Sequence, residues 1–313
     1  MTPEIRKAAE VLRAGGVVAF PTETVYGLGA DASSAAAVAR LYAVKGRPAG
    51  HPVIIHFASA TEALAWAREI PEGARALAAR FWPGPLTLIL KRSGKAKDFV
   101  TGGQDSVGLR VPSHPVAQEL LKAFGGAIAA PSANRHGRVS PTTAAHVRDD
   151  LGSEVEQILE GGPSEVGIES TIVDFSRGAP ALLRPGAISR KDLESVLNSE
   201  IKNDDATSIR HPGGMERHYA PRTPARLVSP HALDAEIALL KDKVAVLAFS
   251  RPDEHVDFWL RMPREPGAYA RRLYAALREL DEAGCAQILV EAPPQAPQWA
   301  AVRDRLQRAC TSG

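Results

Sequence analysis

Residues 198–224, NSEIKNDDATSIRHPGGMERHYAPRTP, carry neither the two-residue period of a strand nor the 3.6-residue period of a helix. They are polar and include Pro212, Pro221 and Pro224. Structureless stretches of this length are functional or disordered rather than ordinary loops. This one splits the chain's patterning into two blocks. Upstream, Thr2-Pro3 reads as an N-cap with proline at the first helical position, and Gly15-Gly16 ends that helix. Apolar runs at 17–20, 53–57, 86–91, 107–111, 127–130, 155–160, 170–175 and 181–184 read as strands. Helical patterns occupy 35–44 (capped by Ser33 or Ser34), 61–68, 72–81, 115–124, 142–149 and 189–197. This predicts an α/β domain with a mixed sheet over about residues 3–190. Downstream, strands 225–228, 244–249 and 287–291 alternate with helices 232–241, 266–283 and 298–309, the rhythm of a small Rossmann-like α/β domain. No GxGxxG accompanies it. The expected division is 1–190, a connecting segment 191–224, and 225–313.

Composition narrows the function classes. The 313 residues suit two domains, and the formal charge of +2 gives no global attraction to nucleic acid. Cys285 and Cys310 both lie late in the chain without a CxxC, so neither a disulfide framework nor a zinc site is expected. The N-terminal MTPEIRKAAEVLRAGG is charged throughout and lacks a signal-like apolar core. No apolar run approaches the roughly 20 residues that span a bilayer. A cytoplasmic protein without a membrane partner is expected. Aromatics at 5% argue against base stacking as the main activity, whereas 26 glycines and 24 prolines imply many shaped loops.

Five segments place polar or cationic residues directly after apolar strands, where α/β proteins build ligand sites. In FPTETVYGLGADA (20–32), Thr22, Glu23 and Thr24 offer two hydroxyls and a carboxylate, and Gly27 and Gly29 permit close backbone approach. A capped strand-to-helix turn explains the same residues. Lys45-Gly46-Arg47-Pro48 ends a helix, where two cations either complement the helix dipole or hold phosphates. His56 ends a strand and reads as structural or catalytic. Arg110 interrupts the apolar SVGLRV and needs an anionic partner, from protein or ligand. Ala130-Pro131-Ser132-Ala133-Asn134 turns two polar side chains out of a strand. Gly167-Ile168-Glu169-Ser170-Thr171 enters another, with Arg184-Pro185-Gly186 beyond. Lys45, Arg47, Arg110 and Arg184 with these hydroxyls suit a ligand bearing phosphates and a carboxylate. A Walker motif, a G-x-S-x-G elbow, HExxH and the kinase signatures are all missing from the sequence.

PTETVYGLG, KGRP with a later HPVIIHF, FWPGPLTLIL, GLRVPSHP, APSAN, GIESTIVD and LLRPGAI stand here in the order found in the YrdC/Sua5 family. The chain resembles that family over residues 3–224. HPGGMERHYAP (211–221) is similar to the linker of its two-domain Sua5 type. The resemblance implies a YrdC-like twisted mixed-sheet domain followed by the Rossmann-like domain. It implies a nucleotidyltransferase that makes threonylcarbamoyl-AMP and pyrophosphate from L-threonine, bicarbonate and ATP, with Mg2+ carried by the nucleotide and no protein metal site. The product serves t6A37 tRNA modification through downstream threonylcarbamoyl transferase proteins, with tRNA or double-stranded RNA as weaker partners. By the same resemblance Thr24, His56, Arg110, Ala130 and Ser170 surround L-threonine. Lys45, Arg47, His51, Ser106, Ser132, Asn134, Ser140, Arg184 and Tyr219 surround ATP, with Lys45 and Arg47 as the catalytic cations. The loop Ala49-Gly50-His51 departs from the family in lacking an extra charged side chain. Residues 211–221 are expected to close as a lid, with Tyr219 near the nucleotide. An RNA-binding module, a carbamoyl-phosphate enzyme and a nucleotide sensor are the competing readings. Salt-dependent RNA binding without ATP turnover distinguishes the first.

Overall fold

The computed structural model describes all residues except 49, 204–208, 214–217 and 311–313. The chain forms two compact units. The first comprises Met1–His136, Pro141–Glu165 and Glu169–Gly214; the second comprises Gly137–Ser140, Val166–Ile168 and Met215–Gly313. Among the described residues no helix is long and apolar enough to cross a membrane.

In the first unit the elements are α1 (Pro3–Arg13), β1 (Val18–Phe20), β2 (Gly27–Asp31), α2 (Ala35–Lys45), β3 (Ile54–His56), α3 (Ala60–Leu64), α4 (Glu72–Phe81) and β4 (Leu86–Lys91). They continue with α5 (Asp98–Thr101), β5 (Ser106–Arg110), α6 (Pro115–Phe124), β6 (Ile128–Ala129), α7 (Ala144–Leu151) and β7 (Gln157–Ile158). The unit ends with β8 (Thr171–Asp174), β9 (Ala181–Arg184), α8 (Arg190–Leu197) and β10 (Lys202–Asn203). Its ten-stranded mixed sheet runs β10-β9-β8-β4-β5-β3-β6-β2-β1-β7. Local chemistry sets the helix ends. Thr2 accepts from the Ile5 amide at 3.3 Å with Pro3 following, and Ser34 accepts from Ala37 at 3.2 Å. Gly46, at φ 67°, closes α2 in the left-handed region.

Strand alternation gives the sheet two faces. Ile55, Leu86, Leu88, Leu90, Val107, Leu109 and Val173 point into the main core. Removing a side chain such as the fully buried Leu109 costs about 2–5 kcal/mol. The intervening residues Ile54, Ile89 and Ile172 form a small separate cluster, against which Leu183 and Ile209 pack. The site is built on this second face.

Several readings of the first unit change: the helix expected over 61–68 ends at Leu64, and α5 has no counterpart among the expected elements. Residues 27–31 lie within the segment read as a turn, yet they form β2, antiparallel to β1. Gly-Leu-Gly-Ala-Asp has poor strand propensity, but a Cβ at Gly29 would sit 2.8 Å from Phe20 and 2.9 Å from Ile128. Glycine is what lets the strand lie under the Phe20 ring. Residues 202–203, inside the stretch read as unstructured, pair in parallel with β9.

The second unit contains β11 (Ala225–Val228), α9 (Leu233–Ala238), β12 (Val244–Ala248), β13 (Phe258–Arg261), α10 (Pro266–Glu282), β14 (Gln287–Glu291) and α11 (Ala300–Ala309). Its sheet is wholly parallel, in the order β11-β14-β12-β13. β13 was not read from the sequence; it extends the sheet by pairing with β12 from Ala245↔Phe258 onward. α9 is shorter than the predicted 232–241, and Leu239 beyond its end is 76% exposed.

Candidate active site

Register assembles one polar row across five strands. His56 of β3 pairs with Arg110 of β5, Arg110 with Thr87 of β4, Thr87 with Ile172 of β8, and Ile172 with Arg184 of β9. Paired residues share a face, so His56, Arg110, Thr87 and Arg184 look out on the same side as Ile54, Ile89, Ser106 and Gly108.

At one end of the row Arg110 meets the β1–β2 connection. Its terminal nitrogen donates to Glu23 Oε1 at 2.7 Å and to Thr24 Oγ1 at 2.9 Å. The Glu23 and Arg110 side chains are each 5% exposed. Glu23 Oε2 accepts from the Ser113 amide at 3.1 Å. The Thr22 hydroxyl donates to the Val25 carbonyl at 2.6 Å, so Thr24 donates to Thr22 Oγ1 across 2.8 Å and accepts from Arg110. Arg110 Nε and His56 Nδ1 are buried with no hydrogen-bond partner. Burial, and then the Arg110 charge, push the His56 pKa down to about 3, so its imidazole is neutral at physiological pH. The anionic partner required for Arg110 is thus Glu23, and two buried polar atoms beside it are left for a ligand.

Arg184 ends the row at the other side. Its Nε donates to the Ser170 carbonyl at 3.0 Å and a terminal nitrogen to Ser170 Oγ at 3.1 Å. Ser170 Oγ lies 2.8 Å from Thr87 Oγ1. The other terminal nitrogen of Arg184 donates to the Pro212 carbonyl at 3.0 Å. Pro212, Arg210, Gln104, Ser106, Thr87 and Gly108 line a small cleft on this face. Gln104 and Arg210 exchange reciprocal bonds: Gln104 Nε2 donates to the Arg210 carbonyl at 2.9 Å, and the Arg210 amide donates to Gln104 Oε1 at 2.8 Å. Residues 209–213 of the connecting segment thus belong to the first unit and are held there by Gln104 and Arg184. Within the expected lid, residues 214–217 lie outside the described residues.

A second cluster forms where α2 ends. Lys45 is 1% exposed. Its ammonium donates to the carbonyls of Ser132 and Asn134 at 2.7 and 2.8 Å, and lies 3.2 Å from Asn134 Oδ1 and 3.4 Å from Ser132 Oγ. In return the His136 amide donates to the Lys45 carbonyl at 2.9 Å and Arg135 to the Val44 carbonyl at 2.6 Å. The 132–136 loop is thus sewn to α2 from both sides. Burial and the neighbouring Arg47 push the Lys45 pKa well down, while four oxygens around Nζ favour the ammonium. A neutral amine brings two N–H donors and a lone pair to these four oxygens, an ammonium three donors and no lone pair, so the charged form fits the geometry better. Arg47 donates to the Pro52 carbonyl at 2.8 Å. The His51 and His136 rings meet edge to face at 6.0 Å. Burial, then Arg47, lowers both histidines, His136 to about 4.

The structure thus joins Thr24 to Arg110, Ser170 to Arg184, and Lys45 to Ser132 and Asn134. Ala130 is buried and donates from its amide to Ile54 at 3.0 Å, beside His56. Ser140 and Tyr219 belong to the second unit. There Tyr219, at φ 62°, is buried with its ring 5.8 Å from Tyr274 and 5.4 Å from the Arg305 guanidinium carbon. Thr87, Gln104 and Arg210 were not read as site residues. Thr87 had a signal: it is the polar member of the apolar run Leu-Thr-Leu-Ile-Leu, on the face opposite Leu86 and Leu88. Gln104 and Arg210 had none, because their contact bridges two irregular segments.

Residues 10–186 match the family model described as telomere recombination (Sua5, YciO, YrdC), and residues 188–311 match that of the threonylcarbamoyl-AMP synthase C-terminal domain. The chain is 40% identical to a threonylcarbamoyl-AMP synthase of Pyrococcus abyssi over 98% of its length and 94% of that protein. It is 38% identical to one of Bacillus subtilis over 98% of its length and 93% of that protein. A crystal structure of Pyrococcus abyssi Sua5 complexed with L-threonine matches at a TM-score of 0.91 and 39% identity, covering 98% of this chain and 94% of that one. The polar row across the first sheet is therefore carried by a chain that belongs to the Sua5/YrdC family, in its two-domain form.

Proposed function

We propose that this protein is an L-threonylcarbamoyladenylate synthase acting in t6A37 tRNA modification. The amine of L-threonine adds to bicarbonate with loss of water to give a carbamate. A carbamate oxygen then attacks the α-phosphorus of ATP, forming the O–P bond of threonylcarbamoyl-AMP as pyrophosphate leaves. The observation that carries the reading is the Arg110 cluster: a buried guanidinium with an unpartnered Nε, the Thr24 hydroxyl and the neutral His56 stand together in a family member similar along its whole length to threonylcarbamoyl-AMP synthases.

In this reading Arg110, Thr24, His56, Ala130 and Ser170 hold L-threonine. Arg110 takes its carboxylate, because a planar guanidinium matches two carboxylate oxygens. Lys45, Arg47, His51, Ser106, Ser132, Asn134 and Arg184 hold ATP. Lys45 and Arg47 are the catalytic cations, Lys45 by fixing the Ser132–Asn134 loop and Arg47 by offsetting phosphate charge. Arg184 and Ser170 bond each other, which ties the two subsites together. Among the described residues no three His, Cys, Asp or Glu side chains gather into a metal cage. Mg2+ would be carried on the triphosphate, where it would neutralise phosphate charge, and no protein ligand is assigned to it. The catalytic steps belong to residues 1–190, with 191–224 as connecting lid and 225–313 as a second domain. Residues 209–213, resting on the cleft, would exclude water from the carbamate, which hydrolyses readily. Cytoplasmic threonylcarbamoyl transferase proteins would take the product, with tRNA or double-stranded RNA as a weak additional partner.

The test is incubation of the full chain with ATP, Mg2+, L-threonine and bicarbonate, with mass detection of the adenylate and a pyrophosphate assay. Release should require both threonine and bicarbonate. Equal release with leucine, or without bicarbonate, would overturn the reading.

A further inference from the structure

A buried arginine that binds a ligand carboxylate does not need a second carboxylate of its own, yet Arg110 has one. Glu23 is held at both oxygens, one by Arg110 at 2.7 Å and the other by the Ser113 amide at 3.1 Å. Both side chains are 5% exposed. A guanidinium is planar, so fixing one terminal nitrogen between Glu23 and Thr24 fixes the direction of the others. The Nε that this leaves is buried and unpartnered, as is Nδ1 of His56, the residue in register with Arg110. An unpaired buried N–H is unfavourable, so the arrangement is poised for an acceptor from outside.

Charge adds a second condition. Arg110 and Glu23 cancel, and His56 beside them is neutral. A bare carboxylate entering this buried site would leave two anions sharing one cation, an uncompensated charge that a buried site resists. A zwitterion brings its own cation, and the Glu23 oxygens keep acceptor capacity beyond the two bonds described. We propose that Glu23 is the positioning and specificity residue of the Arg110 subsite: it aims the guanidinium and, by cancelling its charge, restricts the subsite to zwitterionic amino acids over plain hydroxy acids. The proposal rests on the reading of this subsite as the amino-acid site.

Calorimetry of the full chain with L-threonine and with (R)-3-hydroxybutanoate, which is threonine without its amine, tests it. The wild type should bind threonine at least about 100-fold more tightly than the hydroxy acid, as expected of close buried charge pairs. Glu23→Gln should weaken threonine binding about tenfold or more and narrow that ratio below about tenfold, because Arg110 then welcomes a bare anion. Its ATP affinity should stay at the wild-type level, which a general loss of structure would not allow. Glu23→Asp keeps the charge but shortens the arm, so it should retain the ratio at lower overall affinity. A Glu23→Gln protein that melts like the wild type and keeps the wild-type ratio overturns the proposal. So does a wild type that binds both ligands within about tenfold of each other, a result independent of any variant's folding. If the wild type binds ATP but neither small ligand, the amino-acid reading of the subsite itself has failed.

Discussion

Lys45→Met separates a phosphate-binding lysine from one that merely ends a helix. Lys45 is the last residue of α2, and a helix-capping role would be worth about 0.3–1 kcal/mol. The structure predicts more. Methionine matches the length of the side chain but donates nothing, so the half-buried Ser132 carbonyl and the buried Asn134 carbonyl lose the donor that now bonds them at 2.7 and 2.8 Å. Each such acceptor costs about 1–3 kcal/mol, or about 2–6 for the two. Removing a buried ammonium gives back part of its desolvation cost, which its lowered pKa registers. A net loss of about 2–4 kcal/mol remains, equivalent to a fall in Tm of about 4–16 °C for a unit of this size. If the 132–134 loop shapes the nucleotide site, ATP affinity should fall at least about tenfold while threonine affinity holds. Thermal melting and calorimetry with each ligand read both effects. An unchanged Tm would refute the packing argument. A lowered Tm with normal ATP affinity would show Lys45 to be scaffold alone and refute its place in the nucleotide site.

Three further outcomes are expected. Arg110→Ala should lower stability by about 3–5 kcal/mol, because it strands the buried Glu23 carboxylate, and Arg110→Lys should lose threonine affinity while remaining folded; wild-type threonine binding by the lysine variant would contradict this. His56 takes up a proton in the unfolded chain near pH 6.5 but in the folded chain only near pH 3, so its contribution is complete above about pH 6.5 and is lost as pH falls toward 3, at about 1.4 kcal/mol per pH unit. Urea unfolding between pH 6.5 and 5 should therefore show a pH slope shallower by that amount in His56→Asn, and equal slopes would rule the assignment out. Gln104→Ala removes both bonds to the Arg210 backbone and should speed protease cleavage within 198–224 several-fold, an effect that ATP plus threonine should oppose; identical cleavage in variant and wild type, with and without ligands, would sink the lid.

What was legible in the sequence was the set of residues that break a local rule. Arg110 in an apolar strand, Ser132 and Asn134 after a proline, and paired cations at the end of α2 are costly unless something answers them. Each proves to be engaged in a specific polar network. What was hidden depends on pairing between distant segments. Glu23 lies 87 positions from Arg110, and nothing near Glu23 in the sequence signals that partner. The row from His56 to Arg184 exists only because registers across five strands place the same face upward, and register is set by cross-strand packing that a single sequence does not display. β2 was missed for a related reason. Its glycines answer to the Phe20 ring beneath them rather than to strand propensity, so the local pattern argued against the element that tertiary contact required.

The same logic explains why a connector without periodicity can still be ordered. Residues 209–213 have no periodic pattern to hold them; apart from the His211 ring, 3.3 Å from the Pro212 carbonyl, their described contacts run to the scaffold. Ile209 packs on the Ile54, Ile89 and Ile172 cluster, Arg210 is bracketed by Gln104, and the Pro212 carbonyl takes a nitrogen of Arg184. Each contact is modest, about 0.5–1.5 kcal/mol for a hydrogen bond, so the segment lies at the low end of the stability range, where local opening is frequent. A strap with strong internal structure would need large forces to move. One held by a few scaffold bonds, among them the bond from Arg184 to the Pro212 carbonyl, can open at small cost and close again. Arg184, which bonds both Pro212 and Ser170, ties the strap to the Ser170 end of the polar row.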